Sequence, residues 1–178
     1  MVVSQVQRFD QMVLDLLEIS RVDAGRIEMH LEATLLGDFL ARVAARYGYS
    51  YVPVEVTKRW RDHPVPIDKR RLERAIANLL ENAAQHAGGP VRIGVEGGVE
   101  RVRILVEDAG PGVPGAEKER IFERFARGSA ARHRVGTGLG LALVAEHATA
   151  QGGDAWVEDR PQGGARFVVR VPTSGIRR

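Results

Sequence analysis

The sequence predicts an α+β fold: a two-layer sandwich of helices against a sheet, preceded by one long helix. Two observations carry that reading. Stretches of period-two hydrophobic alternation are interleaved with stretches of helical spacing, but without the strict strand–helix–strand rhythm of a parallel sheet. The opening segment, VVSQVQRFDQMVLDLLEIS, sets Val2, Val6, Phe9, Val13 and Leu16 at gaps of 4, 3, 4 and 3 residues, and Ser20 continues the series. That is a helical seam, and the chain holds no second long helix to receive it. The seam therefore predicts self-association through Val6, Phe9, Val13 and Leu16, with a helix folded back on the rest of the domain as the plainer alternative. Gly25 stops the helix.

The elements follow in order. Residues 27–33 read as a linker. GDFLARVAARYGY reads as a short helix and VPVEVTKRW as a strand. DHPVPIDKRRLERAIANLLENAAQHAGG is a loop that turns into a helix, with Asp68 as its N-cap and Gly88 as its C-terminal stop. VRIGVEGG and VERVRILVED read as two strands joined through Gly97 and Gly98. AEKERIFERFAR reads as a short helix and GSAARHRVGTG as a polar loop. LGLALVAEHATAQ is a helix that ends at Gly152 and Gly153, and DAWVEDR and GARFVVRVP are the closing strands.

The bulk properties exclude several classes. A chain of 178 residues is long enough for one domain with a real core plus an appendage. It has no cysteine, which removes disulfides and thiolate chemistry. No run of about 18 apolar residues offers a membrane span, and no signal-peptide pattern follows Met1. The net charge is +3, but the basic residues are scattered among acids rather than gathered in a patch, so no nucleic-acid partner is expected.

Three stretches break structural rules. In the helix after Asp68, Leu72, Ile76, Leu79 and Ala83 form a core face, while Asn78, Asn82 and Gln85 or His86 form a polar stripe. Asparagine is a poor mid-helix residue, so two at i and i+4 ask for a reason. An amide oxygen is a neutral hard ligand and suits Mg²⁺ when phosphates bring the negative charge; a solvated face is the plainer alternative. In VEDAGPGV, alternating Val102, Ile104 and Val106 deliver Asp108 into a glycine loop. Gly110 and Gly112 there permit close backbone approach to a ligand. A carboxylate in that place can accept from an exocyclic amine such as that of adenine, or simply cap a turn. Lastly, Gly136, Gly138 and Gly140 fall just before an apolar helix. They can present N–H groups and a helix N-terminus to an anion. They fit neither the dinucleotide fingerprint nor the P-loop pattern. Arg127, Arg132, His133 and Arg134 lie just upstream, on a segment with no apolar anchor.

The order and spacing of these pieces resemble a known family. N-x-x-x-N-A at 78–83, D-x-G-P-G at 108–112, IFERFAR at 121–127 and G-T-G-L-G-L at 136–141 are similar to the N, G1, F and G2 boxes of sensor histidine kinases. The ATP-binding Bergerat fold of that family is shared with gyrase, Hsp90 and MutL. Upstream, LLEISRVDAGRIE resembles the end of the second helix of the dimerisation and phosphotransfer domain. The resemblance runs from about residue 5 to residue 172. It implies a phosphotransfer-hairpin helix at 1–26, a linker at 27–33, a catalytic ATP-binding domain at 34–173 and a tail at 174–178.

It also implies roles. Asn82 is the Mg²⁺ ligand, with Asn78 lining the same pocket. Asp108 reads the adenine amine, in a pocket shaped by Gly110, Gly112 and Val113. Gln85 and His86 face the phosphates. Arg127 reaches the γ-phosphate and, with Asn82, is the catalytic residue. Gly136, Thr137, Gly138, Leu139, Gly140 and Leu141 form the lid hinge and its phosphate contacts. The implied activity is transfer of the ATP γ-phosphoryl to a histidine and then to an aspartate of a response regulator receiver domain. The implied setting is a homodimer formed through the helical hairpin, in the cytoplasmic portion of a membrane sensor, with no membrane contact from this stretch.

Three departures qualify the resemblance. Position 85, often lysine in the family, is Gln. The last glycine motif, often G-G-T, is Gly163, Gly164, Ala165. The phosphoacceptor motif is absent, since His30, His63, His86, His133 and His147 all lack its context. The chain therefore reads as a portion of a kinase that does not phosphorylate itself alone. The alternatives are a gyrase- or MutL-type ATPase, an anti-sigma-factor serine kinase, and a non-catalytic nucleotide-binding interaction module. The ATPases place a carboxylate base where Asn78 stands.

Overall fold

Paired strands and two long amphipathic helices organise the chain. The structure, a computed structural model, describes residue 13, residues 28–126 and residues 138–174. The elements are β1 (Leu31–Thr34), α1 (Leu36–Arg46), β2 (Val54–Val56), α2 (Lys58–Arg61), β3 (Val65–Asp68), α3 (Lys69–Ala87), β4 (Pro90–Gly97), β5 (Arg101–Asp108), α4 (Gly140–Ala150), β6 (Asp154–Asp159) and β7 (Ala165–Pro172). Two 3₁₀ turns, Gly115–Glu117 and Arg120–Phe122, lie between β5 and α4.

Five strands form one sheet in the order β2-β4-β5-β7-β6, with β2 parallel to β4 and every other pair antiparallel. β1 and β3 pair separately as an antiparallel ribbon. The helices cover one face of the large sheet. Val102, Ile104 and Val106 of β5 face them, in register with Val171, Val169 and Phe167 of β7, and all six belong to the main core. From the helices come Leu36, Phe39, Leu40 and Val43 of α1 and Leu72, Ile76, Leu79 and Leu80 of α3. These are the 3–4 spacings that give a helix one apolar side.

α3 starts and stops as the sequence predicts. The Asp68 side chain accepts from the Arg71 N–H at 3.1 Å, and Gly88 takes φ +78°. The buried Gln151 side chain accepts from the Asp68 N–H at 2.9 Å, which ties the cap to the end of α4.

Three expectations are corrected. The stretch read as a linker contains most of β1, because Leu31–Thr34 finds a partner in β3 with Leu31 opposite Asp68 and Thr34 opposite Val65. VPVEVTKRW is not all strand: only Val54–Val56 pairs, and the chain then turns into α2 to bury Trp60. AEKERIFERFAR forms no α-helix over its described residues. Its apolar contacts come from the adjacent Ile121 and Phe122, which cannot make the stripe that holds a helix down. Phe122 instead meets Phe167 edge-on at 6.4 Å. Of the predicted helical seam only Val13 is among the described residues, helical and 39% exposed; Val6, Phe9 and Leu16 lie outside them.

Candidate functional site

The site is built along the exposed side of α3. Asn78 and Asn82 stand one turn apart and are half-buried. Neither side-chain amide has a hydrogen-bond partner among the described residues. A half-exposed amide without a protein partner can be satisfied by solvent or by a ligand. Gln85 is exposed and its Nε2 donates to Glu81 at 2.8 Å, so its side chain runs back along the helix. His86 is half-buried one turn beyond Asn82.

Two glycine segments mark the ends of this stripe. Gly110 lies against Ala87, at the C-terminal end of α3, where a Cβ on it would sit 2.6 Å from the Ala87 Cβ. Gly140, the first residue of α4, faces Asn78: a Cβ there would lie 3.6 Å from the Asn78 Oδ1. Ala87 lies nine positions after Asn78 on the helix, roughly 13 Å of helix rise. A groove of about 360 Å³ opens beside Asn78, lined among others by Tyr49, Arg74, Glu81 and Leu143. Asp108 is not part of it.

Asp108 ends β5, 4% exposed, with its carboxylate fixed by two backbone donors. The Gly110 N–H reaches Oδ1 at 2.9 Å and the Ala165 N–H reaches the same oxygen at 3.1 Å. Oδ2 takes neither bond. Gly164 allows this approach: its φ is +101°, and a Cβ on it would lie 2.1 Å from the Asp108 carbonyl oxygen.

At the far end, Gly138 takes φ +72° and its carbonyl accepts from the Phe125 N–H at 2.9 Å. Phe125 itself has φ +63°, uncommon for a non-glycine residue, and is exposed. The bond brings residues 125 and 138 together. Leu139 is fully buried and Leu141 half-buried, so both support α4, while Val113 packs on the core. Arg127, Gly136 and Thr137 lie outside the described residues, as does His133.

Sequence reasoning missed the residue next to Asp108. Glu107, 2% exposed, points to the other face of the sheet and is ringed by three arginines. Arg166 Nε donates to Oε1 at 2.6 Å, Arg92 Nη1 to Oε1 at 3.0 Å and Arg160 Nε to Oε2 at 3.2 Å. Burial pushes this carboxyl up; the bonds and charges of Arg166, Arg92 and Arg160 outweigh that and hold it below its ordinary value. The signal was present only as a charged residue in a strand of otherwise alternating pattern.

Among the described residues, no three His, Cys, Asp or Glu side chains cluster as a metal site, and no helix is long and apolar enough to cross a membrane. Among the described residues, the stretch offers a ligand the two amides, glycine N–H groups, the N-terminus of α4 and one aspartate.

Comparison with known proteins identifies the class to which this fold belongs. The model of the histidine kinase-, DNA gyrase B- and HSP90-like ATPase family matches residues 67–175, and the chain belongs to that family. Within it the resemblance is to sensor kinases. The signal transduction histidine-protein kinase AfsQ2 of Streptomyces coelicolor is 37% identical over 174 residues, which is 97% of this chain and 32% of AfsQ2. The chain thus spans about a third of the length of that relative. The crystal structure of full-length ShkA in complex with AMPPNP superposes with a TM-score of 0.74 at 27% identity, over 93% of this chain and 36% of ShkA. The ATP-binding domain of PrrB from Mycobacterium tuberculosis superposes with a TM-score of 0.60 at 32% identity, over 80% of this chain and 97% of that domain.

Proposed function

We propose that the chain binds Mg·ATP along α3 and, as the catalytic portion of a sensor histidine kinase, transfers the γ-phosphoryl group to a histidine on a phosphotransfer helix. The phosphoryl group then passes to an aspartate of a response regulator receiver domain. The observation that carries this reading is the one-sided fixing of Asp108. Two backbone donors hold Oδ1, and Oδ2 remains to accept from the exocyclic amine of adenine. A purine with a carbonyl in that place would meet a buried carboxylate and be repelled.

From Asp108 the triphosphate would run along the stripe of α3 toward Gly140 and the N-terminus of α4. There the backbone N–H groups and the helix dipole favour negative charge. Asn82, with Asn78 one turn earlier, suits a hard divalent cation whose charge is balanced by phosphate oxygens. Two neutral amides without side-chain hydrogen-bond partners among the described residues fit that donor set. When bound, Mg²⁺ supplies charge neutralisation on the phosphates. Arg127 is assigned the γ-phosphate from the family pattern. Catalysis would rest on positioning and charge, as is general for phosphoryl transfer. Gln85, already bonded to Glu81, has the weakest support as a phosphate contact.

Asn at position 78 favours this reading over the gyrase- and MutL-type ATPases, which need a carboxylate base there. The test is calorimetric titration of the folded chain with AMPPNP, with and without Mg²⁺. Mg²⁺-dependent binding that is lost in Asp108→Ala and Asn82→Ala is the expected result. A folded chain that binds no nucleotide would sink the proposal and leave an interaction module.

A further inference from the structure

We propose that Glu107 is a positioning residue for base selection: it staples the β6–β7 turn at both ends and so fixes the Asp108 carboxylate for an adenine amine. The inference rests on the reading of Asp108 as the base contact.

Strand geometry separates the two side chains. Neighbouring residues on β5 point to opposite faces, so Asp108 faces the helices and the site while Glu107 lies on the far side. Side chain to side chain they do not touch. They are linked through the turn from Arg160 to Arg166, which crosses the end of β5. Ala165 in this turn donates to Asp108 Oδ1, and Gly164 packs against the Asp108 carbonyl. The turn is bracketed by two arginines, and both bind the same carboxylate: Arg160 on Oε2 and Arg166 on Oε1.

Arg160 also organises the turn from within. Its N–H donates to the Gly164 carbonyl at 3.1 Å, its carbonyl accepts from the Gly163 N–H at 2.9 Å, and its Nη1 donates to the Gly163 carbonyl at 3.1 Å. Arg92 on β4 holds Glu107 from the other side and is itself bonded to Glu55 at 2.7 Å. A glycine-rich turn has many conformations open to it, and something must choose one. Here the choice is made by a buried, multiply bonded charge one residue from the carboxylate that the turn must hold. Charge-assisted bonds of this kind carry the geometric definition that neutral turn contacts lack.

The experiment compares binding of ATP and inosine triphosphate, each with Mg²⁺, to the whole chain. Hypoxanthine carries a carbonyl where adenine carries the amine, and a proton on N1, while the sugar and triphosphate are unchanged. Wild type should prefer ATP by about tenfold or more. Arg160→Met and Glu107→Gln should bring that ratio down toward the value of Asp108→Ala. The affinity for inosine triphosphate should change far less. Arg160→Lys should restore part of the preference. Arg170→Met, which breaks an ion pair with Asp154 on the same sheet face, should leave the ratio at the wild-type value. A general loosening would weaken both nucleotides alike. If Glu107→Gln does not fold, Arg160→Met decides, since Glu107 then keeps Arg92 and Arg166. A folded Arg160→Met variant with the wild-type ratio, beside an Asp108→Ala that has lost it, overturns the inference alone. Wild type that binds both nucleotides equally overturns the reading of Asp108, and the inference with it.

Discussion

The two backbone donors to the Asp108 carboxylate both reach Oδ1, and that asymmetry sets what each substitution should do. Asp108→Asn keeps the shape and removes the charge. A hydrogen bond to a charged group is worth about 1.5–3 kcal/mol, so AMPPNP affinity should fall roughly 10- to 150-fold. An unchanged dissociation constant by calorimetry would remove Asp108 from the site. Asn82→Ala should behave differently: affinity should fall in the presence of Mg²⁺ and stay near wild type in its absence, because the amide is assigned to the cation. Glu107 makes a prediction in pH. Its folded pKa lies below its unfolded value, so its contribution is present above the unfolded value of about 4.3 and is lost as pH falls through the folded one. Urea unfolding at a series of pH values should show wild type losing stability below about pH 5, with a flatter acid limb in Glu107→Gln.

At the scale of elements, α3 was legible almost to the residue. Its cap, its core face and its glycine stop are all local chemistry. Asp68→Ala should destabilise by about 1–2 kcal/mol. The upper part of that range is expected because the same carboxylate also accepts from the His30 N–H at 3.2 Å, joining cap and β1. A denaturant midpoint within error of wild type would show that the cap contributes nothing. The strands of the large sheet were legible for the same reason, through alternating Val102, Ile104 and Val106. What stayed hidden depends on distant partners. β1 is four residues with no clear alternation, and it exists because Val65–Asp68 pairs with it. IFERF carries helix-forming residues, but the core takes only Ile121 and Phe122, so packing overrides propensity. The ring around Glu107 joins residues 15, 53 and 59 positions away along the chain. No local pattern encodes that. The candidate site was readable as motifs; the backbone donors on Asp108 and the stapled turn were not.

At the scale of the whole molecule, the proposed site joins elements that are otherwise held apart. α3 supplies the stripe, β5 the aspartate, the β6–β7 turn a donor to that aspartate, and the start of α4 the anion-facing N–H groups. A nucleotide touching all of them would bind only the folded chain, so it must stabilise it. At a hundred times its dissociation constant a ligand adds about 2.7 kcal/mol, which for a chain of this size raises the melting temperature by roughly 5–10 °C. Mg·AMPPNP should produce a shift of that order, and Asp108→Ala should abolish it. Phosphoryl transfer is a separate matter. His30 and His63 are exposed, His86 is half-buried on α3 and His147 is fully buried, and none stands in a phosphoacceptor motif. Incubation with γ-labelled ATP and Mg²⁺ should therefore leave no acid-labile, base-stable phosphoryl group on this chain. Addition of a phosphotransfer domain bearing the acceptor histidine should produce label on that domain instead. Label on the chain itself would place an acceptor among its own histidines and contradict the assignment of α3 as a nucleotide platform alone.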